Sequence, residues 1–147
     1  MDPYASKMFK KNPYTQKRII EGSMVVIFDA SLEHRGLDLI APISRVLNKN
    51  EIHELILTDE KNVVPKSIVN SIAYIGFFEV KKGGVIVVGD EVYVGEKLIG
   101  KVVGFDDTHI PNHQNVILCS HKKKTGAELK INLEDEVKVL TKKQKIK

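Results

Sequence analysis

Tryptophan is absent, cysteine occurs once, and aromatic residues make up 6% of the 147 positions. A lone Cys119 closes no internal disulfide, which excludes a disulfide-stapled secreted scaffold and fits a reducing compartment. No apolar run approaches the roughly 20 residues that cross a bilayer as a helix. The first stretch, MDPYASKMFKKNPYTQKR, lacks the hydrophobic segment of a secretory signal. A cytoplasmic protein without membrane contact is expected. There is no P-loop, dinucleotide fingerprint, GxSxG or HExxH, so the enzyme classes built on those motifs are not indicated. Arginine is scarce, three residues against twenty lysines. Bidentate readout of bases and phosphates relies on the arginine fork, so nucleic acid is not an expected partner.

The basic pI of 9.1 does not change that conclusion, because the charge sits at the ends. Residues 1–18 carry five cations against Asp2, a net of +4, and residues 138–147 carry five lysines, a net of +5. The overall +4 therefore leaves a net of −5 between 19 and 137. The body is acidic, and lysine-rich ends are ordinarily solvated.

What remains is a chain with 42% hydrophobic residues, long enough to bury the core of a single domain. A basic N-terminal arm is expected at 1–20, one barrel domain at 21–140, and a basic tail at 141–147. Short β-branched runs read as strands: 24–28, 52–58, 77–80, 85–88, 91–94, 98–103, 116–120 and 137–140. Glycine-containing turns separate many of them, as at Gly83-Gly84, Gly89 and Gly95. Pro65 to Ile75 reads as the one helix. Pro65 suits the first helical position, Ile68, Ile72 and Ile75 recur at helical spacing, and Gly76 suits the end. The fold class expected is mainly β, a small closed or partly open β-barrel with one short α-helix at about 65–75. VGDEVYV at 88–94 is echoed by LEDEVKV at 133–139, each a turn, an acidic pair and an alternating strand. Small barrels leave strand edges or apolar faces to cover, so a homo-oligomer is expected.

The segment richest in ligand-type side chains is GFDDTHIPNHQN, 104–115, between two strands. Asp106, His109 and His113 form a 2-His-1-carboxylate set, suited to a divalent metal such as Zn, Fe or Mn. Pro111 stiffens the backbone between the histidines. Asp107, Asn112 and Asn115 offer further polar contacts to a small ligand, or would orient the rings. The competing reading is a structured turn, in which Asp107 and Thr108 bond nearby backbone and the asparagines cap strand ends. In SLEHRG, His34 and Arg35 suggest an anionic small-molecule site, against a plain surface loop. Cys119 continues an apolar strand and reads as core.

Two resemblances attach to these residues. With Arg35-Gly-Leu37, Pro42-Ile-Ser-Arg45 and the run from Gly76 to Asn115, the chain resembles an uncharacterised family of small archaeal and bacterial proteins. More distantly, Ile99-Gly100, Phe105-Asp106 and Pro111 are similar to a segment of the glucitol/sorbitol-specific IIA component of the sugar phosphotransferase system. That resemblance implies a small β-barrel and, as an alternative role, a phosphocarrier. The phosphorylated histidine of that family lies in its N-terminal half, where this chain has only His34. The leading expectation is a β-barrel binding a small ligand or metal. A metal-dependent enzyme using the 106–115 loop is the first alternative.

Overall fold

The computed structural model describes residues 14–142 and 144. Seven strands close a barrel: β1 (Ile20–Leu32), β11 (Glu136–Leu140), β8 (Glu91–Val94), β9 (Lys97–Asp106), β10 (Asn115–Cys119), β4 (Ile52–Thr58) and β6 (Ile72–Lys82), in that order around the wall. Two ribbons lie outside it: β2 (Leu37–Asp38) with β5 (Ile68–Val69), and β3 (Ser44–Leu47) with β7 (Gly84–Val87). Most neighbours run antiparallel. The exception is β10 beside β4, a parallel pair that sets Asn115 opposite Glu54.

Side-chain alternation divides the apolar residues between two clusters. Leu55, Leu57, Phe78, Phe105, Val116 and Leu118 belong to the main core cluster. Ile56 and Ile117, which alternate with them, join Leu37, Leu39, Val69 and Ile72 in a second cluster. The second cluster therefore lies on the outer wall, under the β2–β5 ribbon. A strand buried on both faces loses the polar–apolar alternation of an exposed one, which is why β4 and β10 read as continuous apolar runs.

The helix expected at about 65–75 is not present, and no helix occurs among the described residues. Lys66 adopts φ 76°, outside the helical region, and the Ser67 N–H returns to the Val64 carbonyl at 3.0 Å in a turn. Ile68 and Val69 then pair with Asp38 and Leu37. Glu60 Oε2 accepts the N–H groups of Asn70 and Ser71 at 2.8 and 2.6 Å, ending that ribbon before β6 begins. The spacing of Ile68, Ile72 and Ile75 thus comes from two strands separated by a break. Ile68 is exposed while Ile72 and Ile75 are buried, as no single helical stripe would be. β-Branched composition outweighed the apparent period.

Residues 1–13 of the expected basic arm, and 143 and 145–147 of the expected tail, lie outside the described residues. The described part of the N-terminal segment packs against the barrel. Lys17 Nζ donates to Asp90 Oδ2 at 2.7 Å with both side chains nearly buried, and Ile20 already belongs to β1. Gln144 Nε2 donates to the Lys17 carbonyl at 2.6 Å, joining the two ends.

Candidate functional site

The β9–β10 connection begins and ends at one cross-strand pair, Asp106 opposite Asn115. Asp106 alternates with the core residue Phe105 and is buried on the outer wall beneath β2, 3% exposed. Its Oδ1 accepts from the Thr108 N–H at 2.9 Å and Asn115 Nδ2 at 3.1 Å, and its Oδ2 from the Asp38 N–H at 3.2 Å. Three donors on one buried carboxylate make Asp106 a clamp between the loop, β10 and β2. Asp107 Oδ1 accepts from Gln114 Nε2 at 2.7 Å, which shortens the chord of the loop. Asn115 is buried, and its Oδ1 has no hydrogen-bond partner among the described residues.

The two loop histidines do come together. Their rings stack with centroids 4.9 Å apart and planes 28° from parallel. His109 is exposed, whereas His113 is buried and meets the Phe77 ring edge-on at 4.9 Å. Among the described residues, no group of three or more His, Cys, Asp or Glu side chains is placed to hold one metal ion. The structure therefore joins His109 to His113, while the Asp106 oxygens serve backbone and amide donors.

Hydrogen bonding fixes the His113 tautomer. Asn112 Nδ2 can only donate, so His113 Nδ1 accepts at 2.8 Å. The proton then sits on Nε2 and points at Glu54 Oε1, 3.3 Å away. Burial pushes the Glu54 carboxyl up to about 7, a rise that the Arg35 charge partly opposes. Burial also lowers the His113 pKa, and the neighbouring His109 lowers it further. Both partners are thus driven toward their neutral forms near neutral pH.

A second imidazole stands beside the first. The Gln114 N–H donates to His53 Nδ1 at 2.9 Å, so His53 Nε2 carries the proton and donates to Glu51 Oε1 at 2.9 Å. Gln114, 2% exposed, is the hub of the site. Its Nε2 bonds both the Asp106 carbonyl and Asp107, its Oε1 accepts from Arg45 Nε at 2.7 Å, and its carbonyl accepts the Glu54 N–H. These bonds tie the loop to β3 and β4.

Between β3, the start of β4 and loop residues 110–114 lies a half-open cleft of about 760 Å³. Arg45, His53, His113 and Gln114 give it polar groups. Val26, Val46, Ile52, Phe77 and Ile110 give it apolar wall.

Of the residues singled out from sequence, Asn112 and His113 line this cleft, and Asp107 braces its loop. His34 is exposed in the β1–β2 connection. Arg35 Nε donates to the Tyr74 hydroxyl at 3.3 Å, and its charge acts on Glu54. Sequence reasoning missed Glu54, Glu51, His53, Arg45 and Gln114 as site residues. One signal was available: Glu54 interrupts the apolar run IHELILT, where a charge on a doubly buried strand requires a partner.

Residues 14–140 match the model of a family of unknown function, DUF6917, and the chain belongs to that family. No curated protein and no solved structure matches it.

Proposed function

We propose that this member of a family of unknown function is a small-ligand-binding β-barrel whose site is the cleft between β3 and the 110–114 loop. One observation carries the reading: the His113 ring is held in a single tautomer by Asn112 and Glu54 and forms part of the wall of a half-open cleft. A cleft of about 760 Å³ with apolar walls and a few fixed polar groups has the form of a small-molecule site. A molecule entering it would cover Phe77, Ile52 and Ile110 and meet a preorganised imidazole.

The test is an amide NMR titration with a library of small organic fragments. Shifts confined to 45–53 and 110–114 are expected. Shifts elsewhere, or none, would refute the reading.

The Glu54–His113 pair favours a second reading, acid–base catalysis. Displacing the exposed Asn112 amide frees the His113 Nδ1 lone pair to take a proton from a bound molecule. Glu54 behind the ring would stabilise the resulting imidazolium when its carboxyl is ionised, above its raised pKa of about 7. A metal-dependent form of this reading would use His109 and His113 alone, with the bound molecule completing the coordination. Calorimetry with Zn²⁺, Mn²⁺ and Fe²⁺ on the wild type and His109→Ala tests it. The phosphocarrier alternative would rest on His34, which lies outside the cleft.

The same proposal keeps a cytoplasmic location, consistent with the single cysteine, and self-association. Exposed Val64, Ile68 and Leu133 offer apolar surface for a second copy, and light scattering on the purified chain tests that part.

A further inference from the structure

We infer that the cleft selects an amphiphilic carboxylate, a small molecule with one carboxylate and an apolar body of several carbons. The inference rests on the ligand-binding reading above and names the class of ligand.

The charges around the cleft are unequally satisfied. Arg45 is the cleft's arginine, and Gln114 Oε1 holds its Nε at 2.7 Å. Gln114 is itself bonded to Asp107 and to the Asp106 carbonyl, so the guanidinium is oriented from behind. Among the described residues no carboxylate lies within ion-pair distance of Arg45. The cleft's own carboxylate, Glu51, is turned to other donors and takes the Asn48 N–H and His53 Nε2–H on one oxygen. The two lining imidazoles both accept at Nδ1, the arrangement of the neutral ring. What is left for a ligand is one oriented cation with its outer N–H groups unused by any carboxylate.

The apolar side is as specific. Nine large hydrophobic side chains are exposed among the described residues, and four of them, Val26, Val46, Ile52 and Ile110, line this one cleft. Chance scatter over the surface would not gather them there, and concentrated exposed apolar surface marks binding sites. A guanidinium matches a carboxylate's two oxygens in a planar fork. A phosphate dianion would call for a second cation, and no lysine lines the cleft.

Octanoate, 1-octanol and octylamine share a chain length and differ in headgroup, so calorimetry with the three separates the terms. Octanoate should bind about tenfold more tightly than octanol, and octylamine most weakly. Arg45→Gln should erase the octanoate advantage and leave octanol unchanged. Val46→Asn, a neutral change on an exposed rim residue, should weaken octanoate and octanol alike with the folded NMR spectrum retained. Equal binding of octanoate and octanol, or an octanoate advantage that survives Arg45→Gln, would overturn the carboxylate class while the cleft stands as a ligand site. Binding of none would overturn the carboxylate class too, and the fragment titration then judges the cleft separately.

Discussion

Asp90 and Asp135 close the same turn twice. Asp90 Oδ2 accepts the N–H three residues before it, Val87, at 2.9 Å, and Asp135 Oδ2 does the same with Asn132 at 2.8 Å. The residue ahead of each aspartate has positive φ, 101° at Gly89 and 74° at Glu134. Each turn then grips an equivalent residue. Gly89 N and Asp90 O bond Val102, while Glu134 N and Asp135 O bond Met24. Two residues before each gripped position is a glycine at which a Cβ would strike a partner carbonyl, Glu79 at Gly22 and Cys119 at Gly100. The wall is therefore built from two similar three-strand units, β11–β1–β6 and β8–β9–β10. β8 and β11 join them on one side, and β4 closes the gap between β10 and β6 on the other. The proposed ligand cleft adjoins β4, the strand outside the repeat.

The two aspartates should differ in cost despite their shared bond. Asp135 is half-buried, and its carboxylate serves the turn N–H. Asp135→Ala should cost about 1 kcal/mol, a single hydrogen bond. Asp90 also holds Lys17 Nζ, whose side chain is 7% exposed. Asp90→Ala strands that ammonium and should cost about 3 kcal/mol or more. Urea unfolding of both variants decides it, and equal losses would show that the Lys17 pair adds nothing.

Gln114→Leu should loosen the 107–114 loop more than its volume suggests. The substitution removes the bonds to Arg45, Asp107 and the Asp106 carbonyl while leaving the side-chain bulk. A loss of about 2–3 kcal/mol is expected from buried polar groups left unpaired. Faster amide exchange at 107–113 than at 54–58 should accompany it. A uniform change across the barrel would argue against a local hub.

The barrel was legible because its signals are local. Val92 and Val94, Val116 to Leu118 and Val137 to Val139 sit in strands bounded by glycine or acidic turns, and the 88–94 and 133–139 echo was visible as a string. The helix error came from the same kind of signal, a spacing shared by two short strands and one helix face. The site was half legible. His109 and His113 meet within one loop, so adjacency in sequence was enough. Glu54 reaches His113 only because β4 and β10 run side by side in parallel, an association of non-neighbouring strands that no local pattern encodes. Asp106 drew notice as a ligand because a buried clamp and an exposed ligand look alike in sequence.

Stability should fall as pH rises between about 4.5 and 7, and Glu54 should be a main source. Its carboxyl has an ordinary value of 4.5 and is raised to about 7 in the folded chain. The folded state thus keeps a proton that the unfolded state has released. The contribution is complete below 4.5 and is lost as pH passes through 7. The ceiling on the effect is about 3 kcal/mol. His113 works in the opposite sense. Its pKa is lowered, so its contribution is complete above 6.5 and is lost as pH falls through the lowered value. Glu54→Gln should flatten the falling limb of the urea midpoint between pH 5 and 7.5. A limb that persists unchanged in this variant would assign it to other groups.

The His113 ring gives the most direct check on the site. Nitrogen NMR at pH 7.5 should report a neutral ring protonated at Nε2, because Asn112 occupies Nδ1 as a donor and Glu54 receives the Nε2 proton. Its titration should lie below 6.5, mainly from burial and next from the charge of His109. His109→Ala removes that second cause and exposes more of the ring to water, so both changes should raise the His113 pKa toward the ordinary value. Asn112→Ala frees Nδ1 without adding charge, and should let the Nδ1–H form appear alongside the first. Proton and nitrogen shifts of the ring across pH 4 to 8 measure all three. A His113 pKa that drops in His109→Ala, or a wild-type ring protonated at Nδ1, would mean that the Asn112–His113–Glu54 chain does not set the state of the cleft.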